Sequence, residues 1–144
     1  MTDRNTWLHA CRWMAACLLL ATLLAGCATT GQKNALDSAQ YTYSAAIRWG
    51  DFEGAWQMVD PAYRDAHPLT DLELERYKQV QVTAYHDLAG QELPDGDVVR
   101  EVEIGVVNRH TLVERKTRYT ERWHYDAEAE RWWMAVGLPD FWVD

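Results

Sequence analysis

The side chains best suited to binding a metal ion are the histidines, and four of them lie beyond residue 26: His67, His86, His110 and His124. Protein zinc sites commonly place a second histidine or cysteine roughly three to five residues from the first. None of the four has such a neighbour. His86 and His124 lie on predicted strands and are the one pair that a sheet could bring together. The spacing nevertheless predicts no metal site and no cofactor.

Nucleophilic catalysis has equally little support. The serines beyond residue 26 are Ser38 and Ser44, both in a segment with helical periodicity and neither in a glycine-flanked turn that would expose a catalytic hydroxyl. The eight glycines are scattered, so no glycine-rich loop is available to cradle a phosphate. These patterns favour neither a serine hydrolase nor a nucleotide-binding enzyme.

Acid–base chemistry inside an apolar cavity is the most specific enzymatic hypothesis. It requires a buried carboxylate or histidine and a donor, such as tyrosine, for the negative charge that develops during the reaction. The candidate pocket residues are Tyr85, His86, Trp123 and Tyr125 on predicted strands, with Asp87 at the start of a predicted loop. The strand faces that could point inward carry mostly Val, Ile, Thr and aromatic side chains. We therefore expect a filled core and assign no catalytic residue.

Two further clusters lie on the predicted strands. Arg115-Lys-Thr-Arg118 and Arg122 form a basic group that alternates with apolar and aromatic positions, as on a solvated strand face. Docking to an acidic partner or to lipid headgroups is the alternative interpretation. Trp132 and Trp133 are adjacent, so a strand would place their rings on opposite faces. We expect one ring in the core and the other either covered or exposed as a binding platform.

Helical periodicity organises the first half of the chain beyond residue 34. Apolar side chains recur at spacings of three and four residues from Ala35 to Trp49, which predicts a helix that ends at Gly50. Residues that favour helix starts then recur at short intervals and predict three more short helices. Their expected starts are Asp51 before the apolar set in Phe52–Val59, Asp60 before Pro61, and the capping-box pair Thr70 and Glu73.

Alternating patterns predict a sheet in the second half of the chain. The predicted strands cover residues 80–86, 98–108, 113–126 and 131–137, with a loop from Leu88 to Asp97, a turn at 127–130 and an aromatic tail at 138–143. Short connections between the last three strands are typical of an antiparallel meander. The predicted fold class is α+β, with N-terminal helices packed on a curved antiparallel sheet of about four strands.

This order of elements resembles the nuclear-transport-factor-2-like family, also called the cystatin-like cone. The resemblance rests on the helix junction Ala45–Trp56 and on the strand pair Trp123–Asp126 and Arg131–Met134, and it covers residues 35–142. It implies a sheet that curls around the helices and leaves a cone-shaped pocket. Some members (ketosteroid isomerases, polyketide cyclases and scytalone dehydratases) do acid–base chemistry there, while many others bind a small molecule, dimerise or act as accessory domains. The resemblance therefore implies a fold without settling the function.

The N-terminal segment has the pattern of a secretory leader. Residues 14–26 form an uncharged apolar run behind a polar lead that carries Arg4 and Arg12. A helix needs about 20 residues to span the roughly 30 Å hydrocarbon core of a bilayer, and this run is shorter. It has no polar face, and it is followed by small and polar residues. The pattern predicts a signal peptide over residues 1–26.

Leu24-Ala25-Gly26-Cys27 closes the run and resembles the lipobox of bacterial lipoproteins. The resemblance implies cleavage between Gly26 and Cys27, a diacylglyceryl group on the sulfur of Cys27, and an acyl chain such as palmitate on the new amino terminus. Two or three chains anchor durably, because each buried methylene contributes about 0.8 kcal/mol. In that family an aspartate after the cysteine often signals inner-membrane retention; here Ala28 favours the outer membrane. The alternative is an ordinary signal peptide followed by a chance cysteine.

Cleavage would leave a lipidated cysteine and short tether over 27–34 and a domain over 35–144. Cys11 and Cys17 would leave with the leader, so no internal disulfide could form and packing alone would hold the fold. The formal net charge is −8 for the whole chain and becomes −9 after cleavage. Such an acidic chain lacks the basic surplus that binds a phosphate backbone, which excludes nucleic acid as a partner.

These observations predict a membrane-anchored periplasmic lipoprotein that serves the bacterial envelope as a non-catalytic binding or accessory module. Its expected partners are the membrane, through Cys27, together with an envelope protein, a second copy of the chain or a small apolar ligand. Two alternatives stay open: a small pocket enzyme of the isomerase or dehydratase type, and a structural envelope component. A deep cavity with a buried carboxylate or histidine beside a tyrosine would favour the enzyme. A closed core with an exposed aromatic sheet face would favour protein binding.

Overall fold

The computed structural model of the chain describes residues 30–142. The predicted signal peptide, the lipobox and Cys27 lie outside the described residues. The fold described below is that of the compact unit that begins at Leu36. Among residues 30–142, no helix is both long and apolar enough to cross a membrane.

Four helices occupy the first half of the described chain. Helix α1 runs over residues 30–49, so residues 30–34, expected to be a tether, are helical. Apolar periodicity reports only the buried face of a helix, and the first buried side chain of α1 is that of Leu36. The three shorter helices are α2, Phe52–Trp56; α3, Pro61–Ala66; and α4, Asp71–Tyr77.

The predicted caps of the short helices are confirmed. The side chain of Asp51 accepts a hydrogen bond from the Gly54 amide at 2.9 Å. The side chain of Asp60 accepts one from the Ala62 amide at 2.7 Å. Thr70 and Glu73 form a complete capping box. Helix α2 ends before Val59, which instead forms an isolated parallel bridge to the sheet. These starts were predictable because capping bonds join residues close together in sequence.

The second half forms a four-stranded antiparallel sheet in the order β1-β2-β3-β4. Together with the helices that pack on it, this sheet confirms the α+β fold class. The strands are β1, Val80–Glu92; β2, Val98–Asn108; β3, Glu114–Asp126; and β4, Arg131–Met134.

Three of the predicted strand boundaries differ from the structure: β3 begins one residue later than predicted, at Glu114, and the ends of β1 and β4 differ by more. Strand β1 continues to Glu92, through half of the predicted loop at 88–97. Register shifts between Val82 and Ala84 and between Asp87 and Ala89 break its alternation, so the pattern conceals the strand. Strand β4 ends at Met134 and not at residue 137, because the chain bends at residue 136.

The core lies between α1 and the inner face of the sheet. Tyr43 and Ile47 of α1 are completely buried, as are Ile104 of β2 and Trp123 of β3. The C-terminal tail also packs inward: Phe141 is 2% exposed, and its ring centroid lies 5.9 Å from that of Tyr77.

The two edges of the sheet are covered differently. Beyond β4, the linker between α2 and α3 adds backbone hydrogen bonds: the Asp60 amide donates to the Met134 carbonyl at 2.8 Å, and the Met134 amide donates to the Met58 carbonyl at 2.9 Å. At the β1 edge, the described contacts come from side chains. Arg48 reaches the Tyr85 carbonyl at 3.4 Å, and Arg109 reaches the carbonyl of the first residue of β1 at 3.3 Å.

Candidate functional site

A buried carboxylate that sequence reasoning missed lies at the centre of the sheet. Glu121 is completely buried on β3, next to Trp123 on the same inward face. Its side chain accepts four hydrogen bonds. The donors are Arg100 Nε at 2.9 Å, Arg100 Nη2 at 3.0 Å, Trp123 Nε1 at 2.8 Å and the Tyr85 hydroxyl. We call Glu121, Arg100, Tyr85 and Trp123 the Glu121 cluster.

The hydrogen-bonding positions of the Glu121 carboxylate are all occupied within the Glu121 cluster. Arg100 approaches through two nitrogens, the geometry that binds carboxylates most strongly. Burial alone would lower the pKa of Arg100, but its hydrogen bonds and charge interaction with Glu121 outweigh burial and raise it. Burial and the adjacent Glu121 charge raise the pKa of Tyr85 far above its ordinary value, so Tyr85 stays a donor. A carboxylate has roughly four lone-pair positions, and here four donors meet them, which leaves none for a substrate.

A second set of polar contacts links the cluster to the C-terminal tail. The ring of Tyr43 meets that of Trp123 edge to face, with centroids 5.7 Å apart. The Tyr43 hydroxyl lies 3.4 Å from that of Tyr119, which donates to the Gly137 carbonyl. Burial raises the pKa of both tyrosines, so both remain neutral at ordinary pH. The space expected to hold a cone pocket is filled here by hydrogen-bonded side chains.

The five candidate pocket residues are brought together only in part. Tyr85 and Trp123 meet at Glu121. His86 and Asp87 are exposed, and Asp87 only approaches Arg100, at 3.5 Å from its Nη1. Tyr125 is half-buried near the end of β3, where its ring lies 5.3 Å from that of Trp132.

The sheet also separates the two strand histidines. His86 is in register with Glu103, which is in register with Arg118 of β3. His124 lies six residues beyond Arg118 on β3, which places it about 20 Å along the strand from the position level with His86, at the usual rise per residue. No group of three or more His, Cys, Asp or Glu side chains within residues 30–142 is arranged to hold a metal ion.

An exposed ion-pair network occupies the outer face of β3. Arg122 Nε lies 2.6 Å from Asp97, and His124 Nδ1 lies 2.7 Å from the other oxygen of that carboxylate. Burial would raise the pKa of Asp97, but the hydrogen bonds from His124 and Arg122 outweigh it and lower that pKa. Further along the face, Lys116 pairs with Glu103 at 3.0 Å. The basic group of β3 is thus exposed, as expected for a solvated face, and is partly neutralised by the sheet's own acids.

The described surface contains a depression lined by aromatic rings, between α2–α4 and the C-terminal tail. We call it the aromatic depression; its volume is about 440 Å³. The rings of Tyr63 and His67 stack with centroids 4.4 Å apart, and Trp56 meets Tyr63 edge to face at 6.3 Å. On the other side, the guanidinium of Arg76 lies 4.1 Å from the ring centroid of Trp142. Its volume lies within the range that is usual for small-molecule sites.

Local sequence builds the walls of the aromatic depression. Pro61 starts α3, which carries Tyr63, and His67 follows four residues after Tyr63 as the C-cap of the helix. On the facing tail, Gly137 lies so close to Tyr63 that an added Cβ would stand 2.9 Å from its hydroxyl oxygen. The Tyr77 hydroxyl donates to the Pro139 carbonyl at 3.1 Å and fixes the tail against α4. Burial raises the pKa of Tyr77 above its ordinary value, so this donor keeps its proton.

Comparison with protein-family models, with curated proteins and with solved structures finds no match to this chain.

Proposed function

We propose that this chain is a lipid-anchored lipoprotein of the bacterial envelope that binds a small ligand in the aromatic depression and does not convert it chemically. The anchor is supported by the apolar run of residues 14–26 and by Leu24-Ala25-Gly26-Cys27 at its end. Lipid on Cys27 would hold the domain at a membrane, and Ala28 favours the outer membrane facing the periplasm.

The aromatic depression is the observation that carries the binding proposal. Four of its rings, those of Trp56, Tyr63, Tyr77 and Trp142, offer apolar walls. Glu73, Arg76 and Asp140 add charged groups to the lining. Rings favour a ligand with a flat apolar face, and a few polar groups at the walls fix its orientation. The proposed ligand is therefore a small, largely apolar molecule with a polar edge.

The other proposals find less support. A pocket enzyme would need a carboxylate open to substrate, and Glu121 has its oxygens occupied by Arg100, Tyr85 and Trp123. A protein-binding sheet would need an exposed aromatic face, and the outer face of β3 carries Lys116, Arg122 and other charged side chains instead. The helices followed by a four-stranded meander support a cystatin-like cone whose interior is filled.

Replacing Cys27 by serine tests the anchor. We expect the native chain to fractionate with membranes and to carry the mass of a diacylglyceryl group and an acyl chain, because only a cysteine sulfur at this position can accept the diacylglyceryl group. Cys27→Ser should retain the leader and gain no lipid, as read by intact-mass spectrometry. Cys17→Ser, inside the same leader, is the matched control and should be processed normally. A native chain without lipid on Cys27 would refute the anchor.

Replacing Trp56 by alanine tests the ligand site. We expect native mass spectrometry of protein purified from envelopes to show a small-molecule adduct that decreases at least tenfold in Trp56→Ala, since tenfold corresponds to about 1.4 kcal/mol and removal of an aromatic anchor commonly costs that much. Trp133→Ala, a half-buried tryptophan of β4 that does not line the depression, should keep the adduct. Equal adducts in both variants, or none in the native protein, would contradict binding at this site.

A further inference from the structure

Helix α1 presents large aromatic side chains to solvent. Trp49 is 88% exposed and Tyr41 is 73% exposed. Ala45 and Arg48 lie on the same side of the helix, because positions 41, 45, 48 and 49 fall within one arc of a 3.6-residue repeat. We call these four residues the α1 aromatic face. Beside β1 the face borders an open groove of about 510 Å³.

The chemistry of the α1 aromatic face suits the surface of a bilayer. Tryptophan and tyrosine are enriched at both membrane–water interfaces, where an apolar ring with one polar atom fits the headgroup level. Arg48 belongs to the same face, but its Nη2 donates to the Tyr85 carbonyl of β1 at 3.4 Å, so the rings of Tyr41 and Trp49 would make the contact. With a net charge of −9 after cleavage, the domain as a whole is not drawn to anionic lipid, so the contact must depend on the rings.

The length of chain between the anchor and Leu36, the first buried residue of α1, limits how far this face can lie from the membrane. From Cys27 to Leu36 the chain advances nine residues, which span at most about 30 Å in any conformation. Tyr41 follows Leu36 by five residues of helix, about 8 Å along its axis. A tether this short gives the face a high effective concentration at the bilayer, so even a weak interfacial affinity keeps it bound.

We propose that the α1 aromatic face lies on the phospholipid surface that holds the anchor, with Tyr41 and Trp49 at headgroup depth. The proposal rests on the proposed function, because it requires lipid on Cys27. It also gives the domain one orientation at the membrane. Since the rings carry the contact, moderate salt should not release it, whereas contacts between exposed charges are screened.

The predicted chemistry of the mature chain provides a clean test. Its single cysteine would be the lipidated Cys27, so a cysteine introduced elsewhere is the only free thiol. Ser38→Cys places one on α1, one turn before Tyr41, and leaves both rings intact. Thr120→Cys, exposed on β3, is the matched control. Each lipidated protein is labelled with an environment-sensitive fluorophore and reconstituted into phosphatidylethanolamine–phosphatidylglycerol vesicles, with and without lipids that carry a nitroxide quencher near the headgroup.

We expect the label at position 38 to brighten at least twofold in vesicles and to be quenched by the nitroxide lipid, while the label at position 120 changes little. Adding Tyr41→Ala and Trp49→Ala to Ser38→Cys should reduce the signal to that of the control. A label at position 38 that stays in water on a protein shown by mass to carry lipid would overturn this proposal and leave the anchor standing. A label shielded without lipid quenching, on a protein that sediments as a dimer, would assign the face to a second copy and would also overturn it. Absence of lipid on Cys27 would instead refute the proposed function itself.

Discussion

Glu121→Gln is expected to lower the free energy of unfolding by about 3–5 kcal/mol, the usual cost of breaking a buried ion pair from one side. The side chain of Arg100 is 13% exposed and that of Glu121 is fully buried. The amide would leave the guanidinium with only the exposed Asp87 carboxylate, 3.5 Å from its Nη1, as a counter-charge, and the NH₂ group of the glutamine would meet donors where an acceptor is required. Equilibrium unfolding in urea, followed by tryptophan fluorescence and by circular dichroism, measures the change.

Glu103→Gln is the matched control for the same chemical change. Glu103 pairs with Lys116 at 3.0 Å, but 66% of the lysine side chain is exposed, so solvent screens the pair and its loss should change the free energy of unfolding far less than that of the buried pair. The double variant Arg100→Met with Glu121→Leu removes both charges and should be more stable than the sum of the two single changes allows. Equal losses for Glu121→Gln and Glu103→Gln would show that the cluster does not stabilise the fold as described.

Trp123→Ala should cost a similar 3–5 kcal/mol, for a different reason. The ring is completely buried against Tyr43, and its removal leaves a cavity that the surrounding sheet and helix can fill only in part. It also removes the Nε1 donor from Glu121. The urea midpoint should fall markedly while the slope of the transition stays the same, since both proteins expose similar surface on unfolding.

The matched control deletes an equally large ring from the surface. Trp49 is 88% exposed, so Trp49→Ala should change the free energy of unfolding by no more than about 0.5 kcal/mol. That result would also confirm that the vesicle experiment compares folded proteins. If Trp49→Ala destabilises as much as Trp123→Ala, the ring of Trp49 is covered in solution by part of the same chain.

Local signals explain why the helix starts were predictable and the Glu121 cluster was not. A cap joins residues two or three positions apart, whereas Glu121 meets Arg100 and Tyr85 from other strands, 21 and 36 residues away in sequence. One signal did exist. Arg100 has the same parity as the buried residues of β2, and Glu121 the same parity as those of β3, so opposite charges occupied inward positions on neighbouring strands. Arg100 and Glu121 are paired directly in the register of β2 and β3, so these two inward-facing charges are in contact.

No comparable signal in the sequence predicts the aromatic depression. Trp56 and Tyr63 belong to α2 and α3, while Trp142 arrives from the tail about 80 residues later. Periodicity identifies which side of a helix is apolar, but not which distant segment faces it. Similarly, the sequence pattern predicts a loop after Asp87, where β1 in fact continues, because the register shifts within β1 break the two-residue repeat on which strand prediction depends.

The unequal edges of the sheet also limit how copies of this domain could associate. The linker that holds Met58 and Asp60 already occupies the hydrogen-bonding groups beside Met134, so a foreign strand has no place to join there. Within residues 30–142, the other edge strand, β1, is the place where a further strand could be added. If two copies joined β1 to β1, the resulting eight-stranded sheet would end on both sides in a blocked strand. Assembly by strand addition would therefore stop at a pair and could not propagate into a fibre.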